Sequence, residues 1–237
     1  MKNILSNGNS NAKTKKNLRP TNILYLLPAV IDGKDICPFA TENCRAACLN
    51  TAGRGAFDNV QKARLERTKK YIHDKENFYN QIANEINKSA KNKEVLAIRL
   101  NGTSDQPLVE TLLKLHTIAP NVVFYDYTKN YKKVGTRIFS SGHKYVVTYS
   151  LHENNIESFK YMLDNKLCTG AVVFNIPKDS PMITSWKGFP VVDGDERDDL
   201  MLDVPTGTIL GLRAKGKARK DTSGFVIHIN NNYASAI

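Results

Sequence analysis

The chain lacks any apolar run approaching the roughly 18 residues that a membrane-spanning helix needs. Its first residues, from Met1 to Asn9, also lack the apolar core of a signal peptide. Both absences predict a cytoplasmic protein with no membrane partner. In that reducing compartment, clustered cysteines are expected to act as metal ligands or redox groups rather than as disulfides.

Acidic residues are scarce relative to basic ones. The 237 residues include 34 lysines and arginines but 23 aspartates and glutamates, which gives a formal net charge of +11. Such an excess favours an anionic partner, such as a nucleotide, a nucleic acid or another phosphate-bearing ligand. The basic residues are scattered with few aromatic residues among them, so a basic protein without a nucleic-acid role is the alternative.

No linker-like segment and no repeat of fixed period divides the chain after its polar beginning. Residues 1–20 are polar and basic, and they predict a flexible or surface-bound arm. The remainder has enough apolar residues for a sizeable core, since hydrophobic residues make up 41% of the chain. Residues 21–237 are therefore expected to form a single α/β domain.

Strand-like and helix-like segments alternate along that domain. Apolar residues recur at helical spacing after Phe57, with a break near His73, again from Pro107, and again from Ile156. Apolar runs predict strands at 21–30, 94–100, 122–127, 145–149, 171–176, 190–192, 208–212 and 225–229. The alternation predicts a parallel sheet with right-handed crossovers. The number of strands favours a (β/α) barrel-like fold, a TIM barrel or a partial barrel, over an open sheet.

Polar or ionisable side chains follow each predicted strand. The carboxyl ends of parallel strands share one face of a barrel, so these side chains are expected to form one site. Asp105, Lys129 and His152 are its candidate acids and bases. The candidates for binding a cofactor or substrate are Asn101, Gly102, Ser104, Asp193, Asp195, Arg213, Lys215 and Lys217.

Two of these groups have alternative roles. The carboxylates of 193–199 could bind magnesium or calcium, or the hydroxyls of a ribose, but acidic loops are often merely solvated. The basic loop 213–220 could hold phosphate or a nucleic-acid backbone, or it could pair with the aspartates.

Three of the four cysteines fall within twelve residues, directly after the first predicted strand. The spacing C-x6-C-x3-C places Cys44 and Cys48 on one face of a helical turn, and Cys37 at the loop start is able to fold back to them. Three thiolates suit an iron–sulfur cluster or zinc. Ordinary buried thiols or a transient disulfide are the alternative.

The fourth ligand decides between the metals. Cys168 begins its predicted strand, so we expect it in the core at the opposite end of the sheet. Structural zinc takes four protein ligands. Three cysteines without an obvious fourth therefore favour a four-iron cluster with one open iron, and zinc is the alternative.

A three-cysteine loop after the first strand and a glycine-containing polar turn after the second resemble the layout of radical SAM enzymes. The resemblance implies that the open iron binds S-adenosylmethionine and that the turn Asn101–Asp105 meets this cofactor. The cysteine spacing here is wider than is usual in that superfamily, and its Gly-Gly-Glu turn is absent.

A closer resemblance covers nearly the whole chain. It rests on the cysteine loop, the early Gly-Asn…Lys segment and four further stretches: Arg99-Leu-Asn-Gly-Thr-Ser-Asp105, Phe124-Tyr-Asp-Tyr-Thr-Lys129, Val192-Asp-Gly-Asp195 and Gly211-Leu-Arg-Ala-Lys-Gly-Lys-Ala218. These resemble the bacteriophage gene product 88 family. The resemblance implies a phage-encoded protein in a bacterial host, and a site formed by the cysteines, Asp105, Tyr127, Thr128, Lys129, Asp193, Asp195, Lys215 and Lys217.

Three functional hypotheses follow. The first is a radical-SAM-like iron–sulfur enzyme that modifies a nucleotide or nucleic acid. The second is a basic nucleic-acid-binding protein in which the cluster or metal is structural. The third is a protein that counters a host defence system by sequestering a nucleotide signal.

Overall fold

A computed structural model describes residues 3–10 and 13–229 of the chain. Its strands are β1 (Ser6–Asn7), β2 (Thr21–Ile23), β3 (Val30–Ile31), β4 (Lys34–Asp35), β5 (Leu96–Arg99), β6 (Val122–Thr128), β7 (Gly135–Ile138), β8 (Lys144–Ser150), β9 (Gly170–Phe174), β10 (Ser185–Trp186), β11 (Phe189–Asp193) and β12 (Ile209–Arg213). Its helices are α1 (Glu42–Ala46), α2 (Asp58–His73), α3 (Lys75–Ala90), α4 (Leu108–Leu115) and α5 (Ile156–Asp164). None of these helices combines the length and the apolar character that crossing a membrane requires.

The centre of the fold is a mostly parallel sheet with the strand order β1-β2-β5-β6-β8-β9-β12-β11-β10. The seven strands from β2 to β11 in this order run parallel to their neighbours. The two edge strands β1 and β10 are antiparallel, and β7 pairs antiparallel with the first half of β8. The predicted α/β class with a parallel sheet is confirmed. Among the described strands, no pairing joins the two edges, so a closed barrel is not confirmed.

The helices cover one face of the sheet. Successive side chains of a strand point to opposite faces, so Tyr145, Val147 and Tyr149 of β8 share one face. Tyr145 and Val147 belong to the apolar cluster that contains Phe78 of α3, whereas Tyr149 belongs to the cluster that contains Phe159 of α5. Helices α3 and α5 therefore pack on the same face, as right-handed crossovers between successive neighbouring strands require.

The opposite face of the sheet is covered by the 3-10 turn Leu200–Leu202, not by a helix. Leu200 and Met201 pack in one apolar cluster with Tyr125 of β6 and Leu210 of β12. Just before this turn, the buried Asp198 accepts hydrogen bonds from Arg99 and from the Tyr125 hydroxyl. The face opposite the helices thus combines a small apolar cluster with a buried charge network around Asp198.

The described parts of the N-terminal segment are packed against the domain. The main-chain amides of Ile4 and Leu5 donate to the Glu85 carboxylate at 2.8 Å, and both apolar side chains are buried. Further along, Lys13 pairs with Asp198, and Arg19 pairs with Asp199 and Asp203. In these contacts the segment behaves as a bound arm.

The first predicted strand is shorter than its apolar run. Strand β2 ends at Ile23, and the residues from Leu24 to Leu27 leave the sheet but stay under the loops at its carboxyl edge. Their main-chain groups bond to loop and helix partners: Leu24 O accepts from the amide of Gly102, and the amide of Leu27 donates to Thr68 Oγ1. The predicted strand at 225–229 is likewise reduced to one bridge, between Phe174 and Ile227.

Candidate functional site

The cysteine loop lies at the carboxyl edge of the sheet and is ordered by its own polar groups. The Arg45 guanidinium binds the Asp35 carboxylate and the carbonyl oxygen of Cys37, both at 2.8 Å. The Asp35 carboxylate also accepts from the Cys37 amide at 2.9 Å. Thr41 caps α1, because its hydroxyl accepts from the Cys44 amide at 3.1 Å. Cys37 and Cys44 are therefore held on one ordered turn.

Cys48 does not lie on the helix that carries Cys44. The predicted shared helical face is wrong, since α1 ends at Ala46 and the backbone is no longer helical at Cys48. Cys48 instead caps the next 3-10 turn, Leu49–Thr51, and its sulfur accepts from the Asn50 amide at 3.5 Å. The loop still returns Cys48 to the other two cysteines.

The three thiols of the loop are free, half-buried and close enough to perturb one another. Burial, together with Cys48, Asp105 and Cys44, raises the pKa of Cys37 to about 12. Burial also raises the pKa of Cys48, an effect that the Asn50 amide opposes. The unliganded thiols of Cys37 and Cys48 are therefore protonated at neutral pH, and a bound cation would have to displace their protons.

The turn after β5 docks directly onto the cysteine loop. The Asp105 amide donates to Ile36 O at 3.0 Å, and Gln106 Nε2 donates to Asp35 O at 2.8 Å. The sulfur of Cys37 lies 3.6 Å from Thr103 O. These contacts join the first two predicted elements of the site, as sequence reasoning expects.

Within this turn, Asn101 and Ser104 are occupied by internal hydrogen bonds. Asn101 Oδ1 accepts from Ser104 Oγ and from the Gln106 amide, both at 2.9 Å. Its amide nitrogen donates to Gln106 O and to the Asp126 carboxylate. Gly102 is needed for close packing, since a Cβ there would lie 2.7 Å from Leu24 O. The three predicted cofactor contacts of this turn thus have structural contacts of their own.

Asp105 and Lys129 meet at the next strand end. The Asp105 carboxylate accepts from Thr128 Oγ1 at 2.8 Å and from the Lys129 amide at 3.3 Å. Burial raises the pKa of Asp105, and the Thr128 hydroxyl opposes this shift. Burial and the Lys129 ammonium also lower the pKa of His152. The charge of Lys129 therefore acts on both of the other acid–base candidates and on Cys48.

The acidic and basic candidates after β11 and β12 pair with each other. Arg213 contacts Asp193 at 2.7 Å, and Lys215 contacts Asp195 at 2.6 Å. Arg213 also donates to Ser180 O at 2.8 Å. Of the two alternatives for these groups, the described contacts correspond to pairing with the aspartates.

Lys217 lies on an exposed 3-10 turn, Gly216–Lys220, that touches the cysteine loop. A Cβ on Gly216 would lie 3.2 Å from Ala52, and the small side chains of Ala47, Ala214 and Ala218 pack together. The basic loop and the cysteine loop therefore form one continuous surface.

Arg64 of α2 is a site residue that sequence reasoning missed. It is buried beside Cys48 and donates to both oxygens of Asn50, and its guanidinium lies 5.3 Å from the Tyr25 ring centroid. Burial lowers its pKa. The signal was present: Arg64, Thr68 and Tyr71 recur at helical spacing, which indicates that the buried face of α2 is partly polar.

Cys168 lies apart from the other cysteines. It is 1% exposed within the apolar cluster of α5, just before β9 begins at the amino edge of the sheet. Burial raises its pKa to about 11. It is a core residue, as expected from its position in the sequence.

A second buried carboxylate, Asp126 on β6, lies behind the Asn101 turn. It accepts from the Asn101 amide at 2.8 Å and from the Tyr145 hydroxyl at 3.0 Å. Burial raises its pKa to about 7, against the lowering effect of Arg99 and these donors. Because Asp126 lies within the predicted apolar strand 122–127, sequence reasoning gave it no role.

This shift predicts a pH dependence that Asp126→Asn removes. An unfolded aspartate loses its proton near pH 4, whereas folded Asp126 keeps its proton to about pH 7. The folded state then binds more protons in this window, so stability falls as pH rises from 4 to 7, by roughly 1 kcal/mol per pH unit. Urea unfolding at pH 5, 6 and 7 should show this slope in the native protein and a flatter one in Asp126→Asn.

The matched control for that experiment is Asp164→Asn, at an exposed carboxylate that ends α5. It should retain the native slope. An Asp126→Asn protein with an unchanged slope would assign the pH dependence to other groups.

The family model described as Gene product 88 matches residues 3–229. The chain belongs to the gene product 88 family. This confirms the predicted bacteriophage family. No curated protein and no solved structure matches the chain. The gene product 88 match covers every element of the site, from the cysteine loop to the basic turn.

Proposed function

We propose that this gene product 88 protein is an iron–sulfur protein that acts on a nucleotide or nucleic acid in the host cytoplasm. Cys37, Cys44 and Cys48 would hold a four-iron cluster, with one iron left open, at the carboxyl edge of a partial, radical-SAM-like barrel. The observation that carries the proposal is the convergence of these three thiols with Asp105 and Lys129, while Cys168 lies in the core.

The donor set fits a cluster better than it fits a single zinc ion. Zinc binds sulfur at about 2.3 Å in a tetrahedron, so its cysteines must crowd around one point. Among residues 3–10 and 13–229, no three His, Cys, Asp or Glu side chains are grouped closely enough to hold a metal ion, so the cysteine loop would have to close further around a single zinc ion. A four-iron cluster is larger and is held by thiolates that stand further apart. Three neighbouring thiols without a fourth ligand suit that larger group.

Positive charge around the thiols would favour their deprotonation. Arg64 and Lys129 both act to lower the pKa of Cys48, and Arg45 acts to lower that of Cys37. Burial of the loop would limit access of water to the cluster. When bound, such a cluster would supply single electrons to a ligand on its open iron.

S-adenosylmethionine is the ligand that the radical SAM layout implies. Since Asn101 and Ser104 are occupied within their turn, contact with its amino group would fall to the carboxylate of Asp105. Lys129 and His152, whose charges act on each other, would then be the groups to exchange protons with a substrate.

The decisive test is metal analysis of protein purified without oxygen and reconstituted with iron and sulfide. The native protein should hold iron and sulfide in equal amounts and show a broad visible absorption band. Cys44→Ala should lose both. The reason is that each cluster iron outside the open position needs its thiolate.

Cys168→Ala is the matched control, because it also removes one of the four thiols but in the core. It should keep the iron content and the visible band of the native protein. Zinc without iron, or equal iron loss in both variants, would contradict the proposal.

A second candidate is a binding protein without turnover, whether it binds nucleic acid around a structural metal or sequesters a nucleotide. The exposed basic turn with Lys217, Arg219 and Lys220 beside the cysteine loop favours it. Incubation of the reduced protein with S-adenosylmethionine separates the two functions. Cleavage of the cofactor supports the enzyme, and tight nucleotide binding without cleavage supports the binding protein.

A further inference from the structure

Exposed aromatic rings surround the candidate site, although aromatic residues are few in the chain. Phe39, next to the first cysteine, is 40% exposed, and Tyr131, three residues after the end of β6, is 51% exposed. Phe225 is half-buried at the edge of the small cluster that contains Ala47 of the cysteine loop. Aromatic rings with a free face at one site offer surfaces on which a planar ligand can stack.

A lysine ammonium lies over each of these three rings. The ammonium of Lys133 lies 5.8 Å from the Phe39 centroid, that of Lys132 lies 5.8 Å from the Tyr131 centroid, and that of Lys129 lies 5.5 Å from the Phe225 centroid. We call these residues the lysine–aromatic rim: Phe39, Tyr131, Phe225, Lys129, Lys132 and Lys133.

The rim charges are available to a ligand. Residues 127–134 contain no acidic residue. Within the described part of the chain, none of the three ammonium groups is joined to a carboxylate by an ion pair, in contrast to Lys215 and Arg213. The rim is also continuous with the site, because the charges of Lys129 and Lys133 both act on Asp105.

We infer that the lysine–aromatic rim binds single-stranded nucleic acid and presents it to the site. Aromatic rings stack with unpaired bases, and lysines beside the rings neutralise the phosphates that connect those bases. A duplex keeps its bases stacked inside, so it could use the lysines but not the rings. The inference rests on the proposed function for its substrate class, but it makes an independent claim about binding.

The test is fluorescence anisotropy with labelled oligothymidylate and oligouridylate of about 15 nucleotides, a length within the range of single-strand sites. The competitors are a duplex of the same length and the mononucleotides. At least one single strand should bind about tenfold more tightly than the duplex and far more tightly than its mononucleotide. Tyr131→Ala should weaken single-strand binding by about fivefold or more, since it removes one stacking ring.

The charge component has its own readout. The double variant Lys132→Ala, Lys133→Ala removes two phosphate contacts, so the slope of log K against log salt should become shallower by about 1.4. Tyr161→Ala and Lys88→Ala are the matched controls, because Tyr161 and Lys88 are exposed on the helix-covered side of the domain. Both controls should bind as the native protein does.

Iron content measured on the same samples separates this inference from the proposed function. Cys44→Ala should lose iron yet still bind the single strand, because five of the six rim residues lie outside the cysteine loop. Equal affinity for single strand and duplex, an unchanged Tyr131→Ala, or a mononucleotide that binds as tightly as the oligonucleotide would each overturn the inference, whatever the iron content.

Discussion

Asp198→Ala should lower the free energy of unfolding by about 3–5 kcal/mol, the usual cost of leaving one partner of a buried ion pair alone. Asp198 is 3% exposed and is bonded to Arg99 at 3.0 Å, to the Tyr125 hydroxyl at 2.9 Å and to Lys13 at 3.3 Å. Burial alone would raise its pKa, but Arg99 and Lys13 outweigh burial and hold the pKa well below its usual value. Without Asp198, the Arg99 guanidinium keeps its position 4.7 Å from the centroid of the Tyr127 ring and the influence of the buried Asp126, but it loses its carboxylate hydrogen bonds. Chemical denaturation measures the loss.

Asp203→Ala is the control for this prediction. Asp203 also binds two arginines, Arg19 and Arg197, but its side chain is 30% exposed, so water replaces much of what is lost. Its removal should cost about 1 kcal/mol or less. Adding Arg99→Met to Asp198→Ala should recover part of the stability, because no buried charge then remains unpaired. If the losses of the two substitutions simply add in the double variant, the broken Arg99–Asp198 ion pair is not the source of the lost stability.

The location of the site could be predicted from the sequence because it follows from topology. Parallel strands place their carboxyl ends on one edge, so the cysteine loop, Asp105, Lys129 and His152 had to come together once the strands were recognised. In the structure the Lys129 amide donates to Asp105, and the Lys129 charge acts on His152. The pairing of Arg213 with Asp193 was one of two alternatives, since charge pattern alone does not tell a ligand site from an ion pair.

The parts that sequence reasoning missed depend on contacts between distant residues. Strand β7 lies in a loop-like region with no clear alternation, and it forms only by pairing antiparallel with β8, which follows it. Asp126 sits in the middle of an apolar strand, and its donors come from another turn and from β8. The covering of the sheet face opposite the helices has the same origin, because Leu200 and Met201 come from a distant segment that a strand count does not predict.

The turn from Asn101 to Asp105 links the buried Asp126 to the cysteine loop. Asn101 bonds to Asp126 on its inner side, while Asp105 bonds to Ile36 O of the cysteine loop on its outer side. The geometry of the thiols thus depends on a turn that is itself fixed by the core. Substitutions that displace this turn should therefore affect stability and metal loading together.

Gly102→Ala is expected to lower both the stability of the protein and its iron loading. A Cβ at this position would lie 2.7 Å from Ile23 Cγ2, Leu24 O and Tyr25 Cδ1, and Leu24 O also accepts the Gly102 amide at 3.0 Å. The backbone atom has no room to move without breaking that bond, so the turn must shift, at a cost of about 3 kcal/mol in unfolding free energy. The shift would carry Asp105 and Thr103 away from Cys37, and anaerobic reconstitution should then load less iron.

Gly142→Ala provides the comparison, because a Cβ there meets open space and only the positive φ of +82° is unfavourable. It should cost about 1–2 kcal/mol and leave iron loading unchanged. The difference between the two variants isolates the contribution of close packing between β2 and the Asn101–Asp105 turn. A Gly102→Ala protein with native stability and full iron content would mean that the turn adapts, and that the thiols are positioned by the cysteine loop alone.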